Sequence, residues 1–206
     1  FGDPNLVSEQ MWLLANELKN SPLKKVRGNI IADASFFDSN QRVKTWNKKA
    51  GVEAYNAPLG ALSFNFNTVA VHVTPGEKKG DRPIVVVDPD IEFIRVDNRA
   101  RTASKPKYGR LIVNRVDRGD HNVITVSGTM PVNSRRETYY LNITQPTHYA
   151  AIVFKEYLLQ AGVEVMGKVR VGSVPEGAYE LFSHESIPLS LILRGLNKFS
   201  NNFVAE

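Results

Sequence analysis

The stretches "VRGNIIAD" (Val26–Asp33) and "VMGKVRVG" (Val165–Gly172) rhyme, and each follows a helical pattern. Before the first, Met11, Leu14, Ala15 and Leu18 share one helix face from Ser8 to Asn20, with Ser8 as the predicted N-cap and Pro22 past the end. Before the second, Ala150, Val153, Phe154, Tyr157, Leu158 and Ala161 form an apolar stripe over 147–160. Thr147 is the predicted cap there, and Gly162 fits the C′ position. A helix–strand unit at each end predicts one discontinuous α/β layer built from both flanks.

Between the flanks the period changes from helical to two. Val69, Val71 and Val73 alternate with polar residues. "IVVVD" (Ile84–Asp88), "IEFIRVD" (Ile91–Asp97), "RLIVNRV" (Arg110–Val116), "NVITVSG" (Asn122–Gly128) and "ETYYLNIT" (Glu137–Thr144) follow, rich in β-branched and aromatic residues with turn residues between. The predicted fold is therefore mixed α+β. Its parts are a discontinuous α/β domain over 1–66 and 145–178, an inserted all-β module over 67–144, and a helical segment over 179–206. In that last part Leu189, Ile192, Leu193 and Leu196 form a stripe before Ser200-Asn201-Asn202, and "FVAE" opens another turn. The stretch from Lys44 to Leu62, with Pro58 and two glycines, has no clear period and reads as a long loop.

Composition narrows the function. The 206 residues, 42% apolar and 23% charged, suffice for one good core or two modest ones. No apolar run approaches the roughly 18 residues that span a bilayer. There is no cysteine, so disulfides, thiolate zinc sites and a Cys nucleophile are excluded. His72, His121, His148 and His184 lack ligand-like spacing, so no metal or cofactor is expected. The net charge of +5 is concentrated between Arg95 and Arg118, where eight basic residues face only Asp97 and Asp117. Such a strip meets an anionic polymer or is a solvated sheet face. Tyr108 is its only aromatic residue, which argues against single-stranded nucleic acid. Asn142-Ile143-Thr144 is a glycosylation sequon by pattern alone, at a strand end.

Ser200-Asn201-Asn202 lies between two helix patterns, where Ser and Asn ordinarily cap or turn. Four stretches change that reading. "GDPNL" (Gly2–Leu6), "VRGNIIADASFFD" (Val26–Asp38), "YNAPLGALSFNFNTVAVHVTPG" (Tyr55–Gly76) and "HESIPLSLILRGLNKFSNNFVAE" (His184–Glu206) occur in this order. Together they resemble the class C, low-molecular-mass penicillin-binding proteins, the D-alanyl-D-alanine carboxypeptidases/endopeptidases of peptidase family S13. The resemblance covers nearly the whole chain.

It implies a serine-type enzyme of the bacterial periplasm, or an otherwise extracytoplasmic one, acting on peptidoglycan peptides and acylated by β-lactams. It implies three motifs: S-x-x-K with the nucleophile, S-x-N, and K-T-G. Ser200 and Asn202 match S-x-N. The resemblance makes the Ser a proton relay and the Asn amide a holder of the motif's Lys and of the substrate carbonyl. Asn201, the variable middle residue, is expected to face away. Trp46 and Tyr55 match a loop that borders the substrate cleft, although Asn47-Lys48-Lys49 stand where an acidic residue is expected after the Trp. No S-x-x-K in the right context and no K-T-G occurs here. The chain is thus expected to be the part between those motifs and inactive alone. The alternative is a cell-wall-binding or scaffold module that uses the basic β face. Nucleic-acid binding is not expected, and oligomeric state is not legible.

Overall fold

The computed structural model describes residues 3–43, 51–104 and 110–205. Along the chain these form α1 (Ser8–Asn20), β1 (Lys25–Val26), β2 (Ile30–Ala32), 3-10 turns at Ala54–Asn56 and Asn65–Asn67, β3 (Thr68–Thr74), β4 (Ile84–Asp88), β5 (Ile94–Asn98), β6 (Arg101–Ala103), β7 (Leu111–Asp117), β8 (Asn122–Pro131), β9 (Glu137–Asn142), α2 (Pro146–Gln160), β10 (Glu164–Val165), β11 (Val169–Val171), α3 (Leu189–Phe199) and α4 (Asn202–Ala205). They divide into two compact units. One comprises 1–50, 57–67 and 145–206, and the other 51–56 and 68–144.

In the first unit the two rhyming stretches lie side by side. Lys25–Val26 pairs in parallel with Glu164–Val165, and Ile30–Ala32 with Val169–Val171. Each stretch, expected as one strand, is two short strands broken at its glycine. The reason is contact: a Cβ on Gly167 would stand 2.0 Å from the Gly28 carbonyl oxygen. The chains cross too closely there for a regular ladder. The Asn29 side chain bridges the gap by accepting the Lys168 N–H at 2.9 Å, and Ile30 N–H then donates to the Lys168 carbonyl at 3.0 Å. Helices α1 and α2 bury Ala15, Leu18, Leu158 and Ala161 together with Val163, and Val26, Ile30 and Val165 pack against this cluster.

The helix ends differ from the sequence expectation in instructive ways. Ser8 is the first residue of α1 and Val7 its N-cap. Polar capping comes instead from Asn65, whose Oδ1 accepts the Ser8 N–H at 3.1 Å while its Nδ2 donates to Ser8 Oγ at 3.0 Å. Thr147 is buried inside the first turn of α2, where the cap is Gln145, in left-handed conformation (φ 53°), followed by Pro146. Proline suits this place because its missing N–H lies among those a helix leaves unbonded anyway. Gly162 takes the C′ position as expected, with φ +89°. Its N–H donates to Leu159 O, and Val163 N–H to Leu158 O, closing the helix in a Schellman turn.

The described residues of the second unit form strands and one 3-10 turn. Three strands form an antiparallel sheet in the order β4-β3-β9. In the other sheet β8 is central, with β7 antiparallel on one side and β5 and then β6 parallel on the other. Val69, Val71, Val73, Ile124, Val126 and Met130 are wholly buried.

Two polar residues fasten this unit. Asn122 donates to Thr144 Oγ1 and accepts the Thr144 N–H. Asn142, the sequon asparagine, has no exposed surface and donates to the carbonyls of both Gly51 and Glu53. Its Oδ1 accepts from Arg115. It is a structural asparagine, and it explains why 51–56 travels with the β unit and not with the α/β layer.

The basic strip does not form a single face. Arg95 pairs with Val123 and Arg115 with Ile124, neighbours on β8 whose side chains point to opposite faces. Arg99 is paired with Asp97 at 2.7 Å. Lys105 and Lys107 lie outside the described residues.

Candidate active site

Ser200-Asn201-Asn202 joins α3 to α4, and the three residues divide the labour. Ser200 ends α3 through its backbone, which is left-handed (φ 49°, ψ 46°) with its N–H bonded to Leu196 O at 2.7 Å. Asn201 caps α4: its Oδ1 accepts the Phe203 N–H at 3.0 Å, and its carbonyl accepts those of Val204 and Ala205. The middle residue, expected to face away, therefore carries the capping that Ser and Asn perform at such junctions. The Ser200 hydroxyl and the Asn202 amide are exposed, and neither bonds to another described residue. One hydroxyl, which both donates and accepts, and one amide are thus left for an external partner. Lys198, one turn back, rests over the Phe199 ring, 5.2 Å from its centroid.

The segment from His184 to Ala205 is tied down at both ends. The Phe203 ring meets Phe66 edge-on, with centroids 5.9 Å apart and planes at 84°. At the other end of the same segment, Asp3 Oδ1 accepts from Ser186 Oγ at 2.8 Å and from the Asn5 N–H at 2.8 Å, while His184 Nε2 lies 3.7 Å from Asp3 Oδ2. Asp3, His184 and Ser186 thereby tie "GDPNL" to "HESIP", a link that no local sequence pattern signals. A cavity of about 650 Å³ opens beside α4, with Phe36, Phe37, Asp38, Arg42, Phe203 and Val204 in its wall. The Asp38 carboxyl is held below the usual range by the Asn40 backbone N–H, and then by the Asn40 side chain.

Tyr55 belongs to the β unit, on the 3-10 turn that Asn142 anchors, and it is 67% exposed. Trp46 lies outside the described residues. Among the described residues, no three His, Asp or Glu side chains converge as a metal site. No helix among them is long and apolar enough to cross a membrane.

The family model for the D-Ala-D-Ala carboxypeptidase 3 (S13) family matches residues 1–206. The chain belongs to the S13 peptidase family. Among S13 relatives, it is 33% identical over 214 aligned residues to a D-alanyl-D-alanine carboxypeptidase of an Actinomadura strain, covering 100% of this chain and 39% of that protein. It is 27% identical to the D-alanyl-D-alanine carboxypeptidase DacB of Haemophilus influenzae, covering 100% of this chain and 42% of the relative. The chain thus spans about two fifths of the length of these relatives. Its fold is similar to the crystal structure of penicillin binding protein 4 (dacB) from Haemophilus influenzae, with a TM-score of 0.80 at 24% identity over 99% of this chain and 45% of that one. A second structure of that protein, complexed with a novel β-lactam, gives a TM-score of 0.67 at 22% identity.

Proposed function

We propose that this S13 chain is the S-x-N-bearing part of a serine-type D-Ala-D-Ala carboxypeptidase/endopeptidase, acting outside the cytoplasm on peptidoglycan stem peptides. The observation that carries this is the junction itself. Asn201 does the capping, and among the described residues neither the Ser200 hydroxyl nor the Asn202 amide, both on exposed residues, has a side-chain hydrogen-bond partner.

A serine hydroxyl attacks a peptide carbonyl only once a base takes its proton. In this reading the attacking serine and its Lys lie in the S-x-x-K motif, outside this chain. Attack on the penultimate D-Ala carbonyl forms an ester and breaks the bond to the terminal D-Ala. Ser200 passes the serine's proton to the departing amine. Water then hydrolyses the ester, with the proton returned along the same path. Asn202 holds the Lys and the substrate's carbonyl oxygen. Trp46 and Tyr55 border the cleft. Residues 1–66 and 145–178, apart from the turn at 51–56 that groups with the β unit, act as an accessory α/β domain with 67–144 inserted in it, and 179–206 open the catalytic segment. Lacking the nucleophile, the isolated chain neither hydrolyses peptide nor takes up penicillin. Docking on cell-wall polymer through one basic face has less support, because Arg95 and Arg115 point to opposite faces of their sheet.

The test is mutational, in the full-length protein. Loss of a positioned proton relay costs on the order of 10²–10⁴-fold in rate. Ser200→Ala and Asn202→Ala are expected to lower kcat on a D-Ala-D-Ala peptide by about that range, with the melting temperature nearly unchanged. A Ser200→Ala protein that turns over at the parent rate but melts several degrees lower would make Ser200 a structural residue and defeat the assignment.

A further inference from the structure

Three consecutive residues of "SFNFN", Asn65, Phe66 and Asn67, are left-handed, with φ of 46°, 54° and 54°. L-residues other than glycine resist this conformation, so the surroundings must impose it. The two asparagines have clear duties. Asn65 caps α1. Asn67, fully buried, donates to Pro58 O at 2.7 Å and Ser63 Oγ at 3.0 Å and accepts the Phe64 N–H at 3.2 Å. Phe66 between them does neither. Its ring meets Phe203, the residue after Asn202. The described part of α4, Asn202–Ala205, has no buried residue, and the Phe66 ring packs against its second residue.

We propose that Phe66 is a positioning residue for the S-x-N junction: the left-handed turn presents its ring to Phe203, and that contact fixes the first turn of α4 and with it Asn202. This rests on the catalytic reading of Ser200 and Asn202 given above. The turn is a rigid support because both flanking asparagines are fastened to the α/β unit. The contact is directional because an edge-on aromatic pair has a preferred geometry that an aliphatic side chain does not supply. Phe66 touches no reacting atom. It acts on the amide through one neighbouring residue.

Kinetics of the full-length protein on a D-Ala-D-Ala peptide, measured beside its melting temperature, test this. Phe66→Leu keeps an apolar side chain, and Phe66→Gly relieves the left-handed backbone while removing the ring. Both are expected to lower kcat by about tenfold or more with KM within about twofold, because misplacement of a reacting group shows mainly in turnover. The Gly variant should melt no more than a few degrees below the parent. Phe66→Tyr should restore kcat to within about twofold. Phe203→Leu should match Phe66→Leu, and the double variant should lose nothing further, since both break one contact. Parent-like kcat in both the Leu and Gly variants, losses that multiply in the double variant, or no recovery with Tyr would overturn the proposal. A parent protein that neither cleaves the peptide nor binds penicillin overturns the catalytic reading itself. An active parent with unaffected Phe66 variants removes only the positioning role.

Discussion

Asn201 and Ser200 are neighbours with opposite expected behaviour. Asn201→Ala removes the acceptor for the Phe203 N–H, a cap loss of about 1 kcal/mol. For a protein of this size or larger that corresponds to about 2–4 °C or less in calorimetry. Turnover should fall far less than in Ser200→Ala. Ser200 was legible from the sequence as a candidate because a family motif surrounds it. The duty of Asn201 was not, because which of three adjacent polar residues caps a helix depends on backbone angles that composition does not encode. Asn67 makes the same point more strongly. Its side chain closes three hydrogen bonds at zero exposure, so Asn67→Ala leaves buried donors and acceptors unpaired. The expected loss is at least about 2 kcal/mol, read as a lower denaturant midpoint.

Among the elements, the alternation of Val69, Val71 and Val73 and the stripes of α1 and α2 were legible because burial follows local periodicity. The break in both flanking strands was not. Gly28 and Gly167 look unremarkable singly and acquire meaning only when the two strands lie side by side. Gly167→Ala drives a methyl into backbone that cannot move aside, and a loss of about 1–3 kcal/mol or more is expected in chemical denaturation. The capping of α1 by Asn65 was hidden for a related reason: the accepting side chain and the helix start are 57 residues apart in sequence. On β9, burial and then the hydrogen bond to Glu137 push the Tyr139 phenol up to about 12. A phenol whose folded value is raised contributes stability that is complete below its unfolded value near 10 and is lost as pH rises through 12. An alkaline absorbance titration should show a late tyrosine component that Tyr139→Phe diminishes, while a late component of unchanged amplitude in that variant would refute it.

At the scale of the molecule, the chain carries S13 identity along its whole length yet spans about two fifths of its relatives. The apolar stripe of α3 was legible, but of its members Leu189 and Leu193 remain 67% and 46% exposed and Ile192 and Leu196 are only half-buried, because periodicity says which face is apolar and not what meets it. The same division governs chemistry. In the reading proposed above, the junction supplies a hydroxyl and an amide, and the attacking serine lies in sequence outside 1–206. Mass spectrometry of penicillin-treated protein tests this most directly. The isolated chain should gain no mass, and the full-length protein should gain one penicillin on a serine outside this chain. A stoichiometric adduct on the isolated chain, or a label mapped to any residue of 1–206, would contradict it.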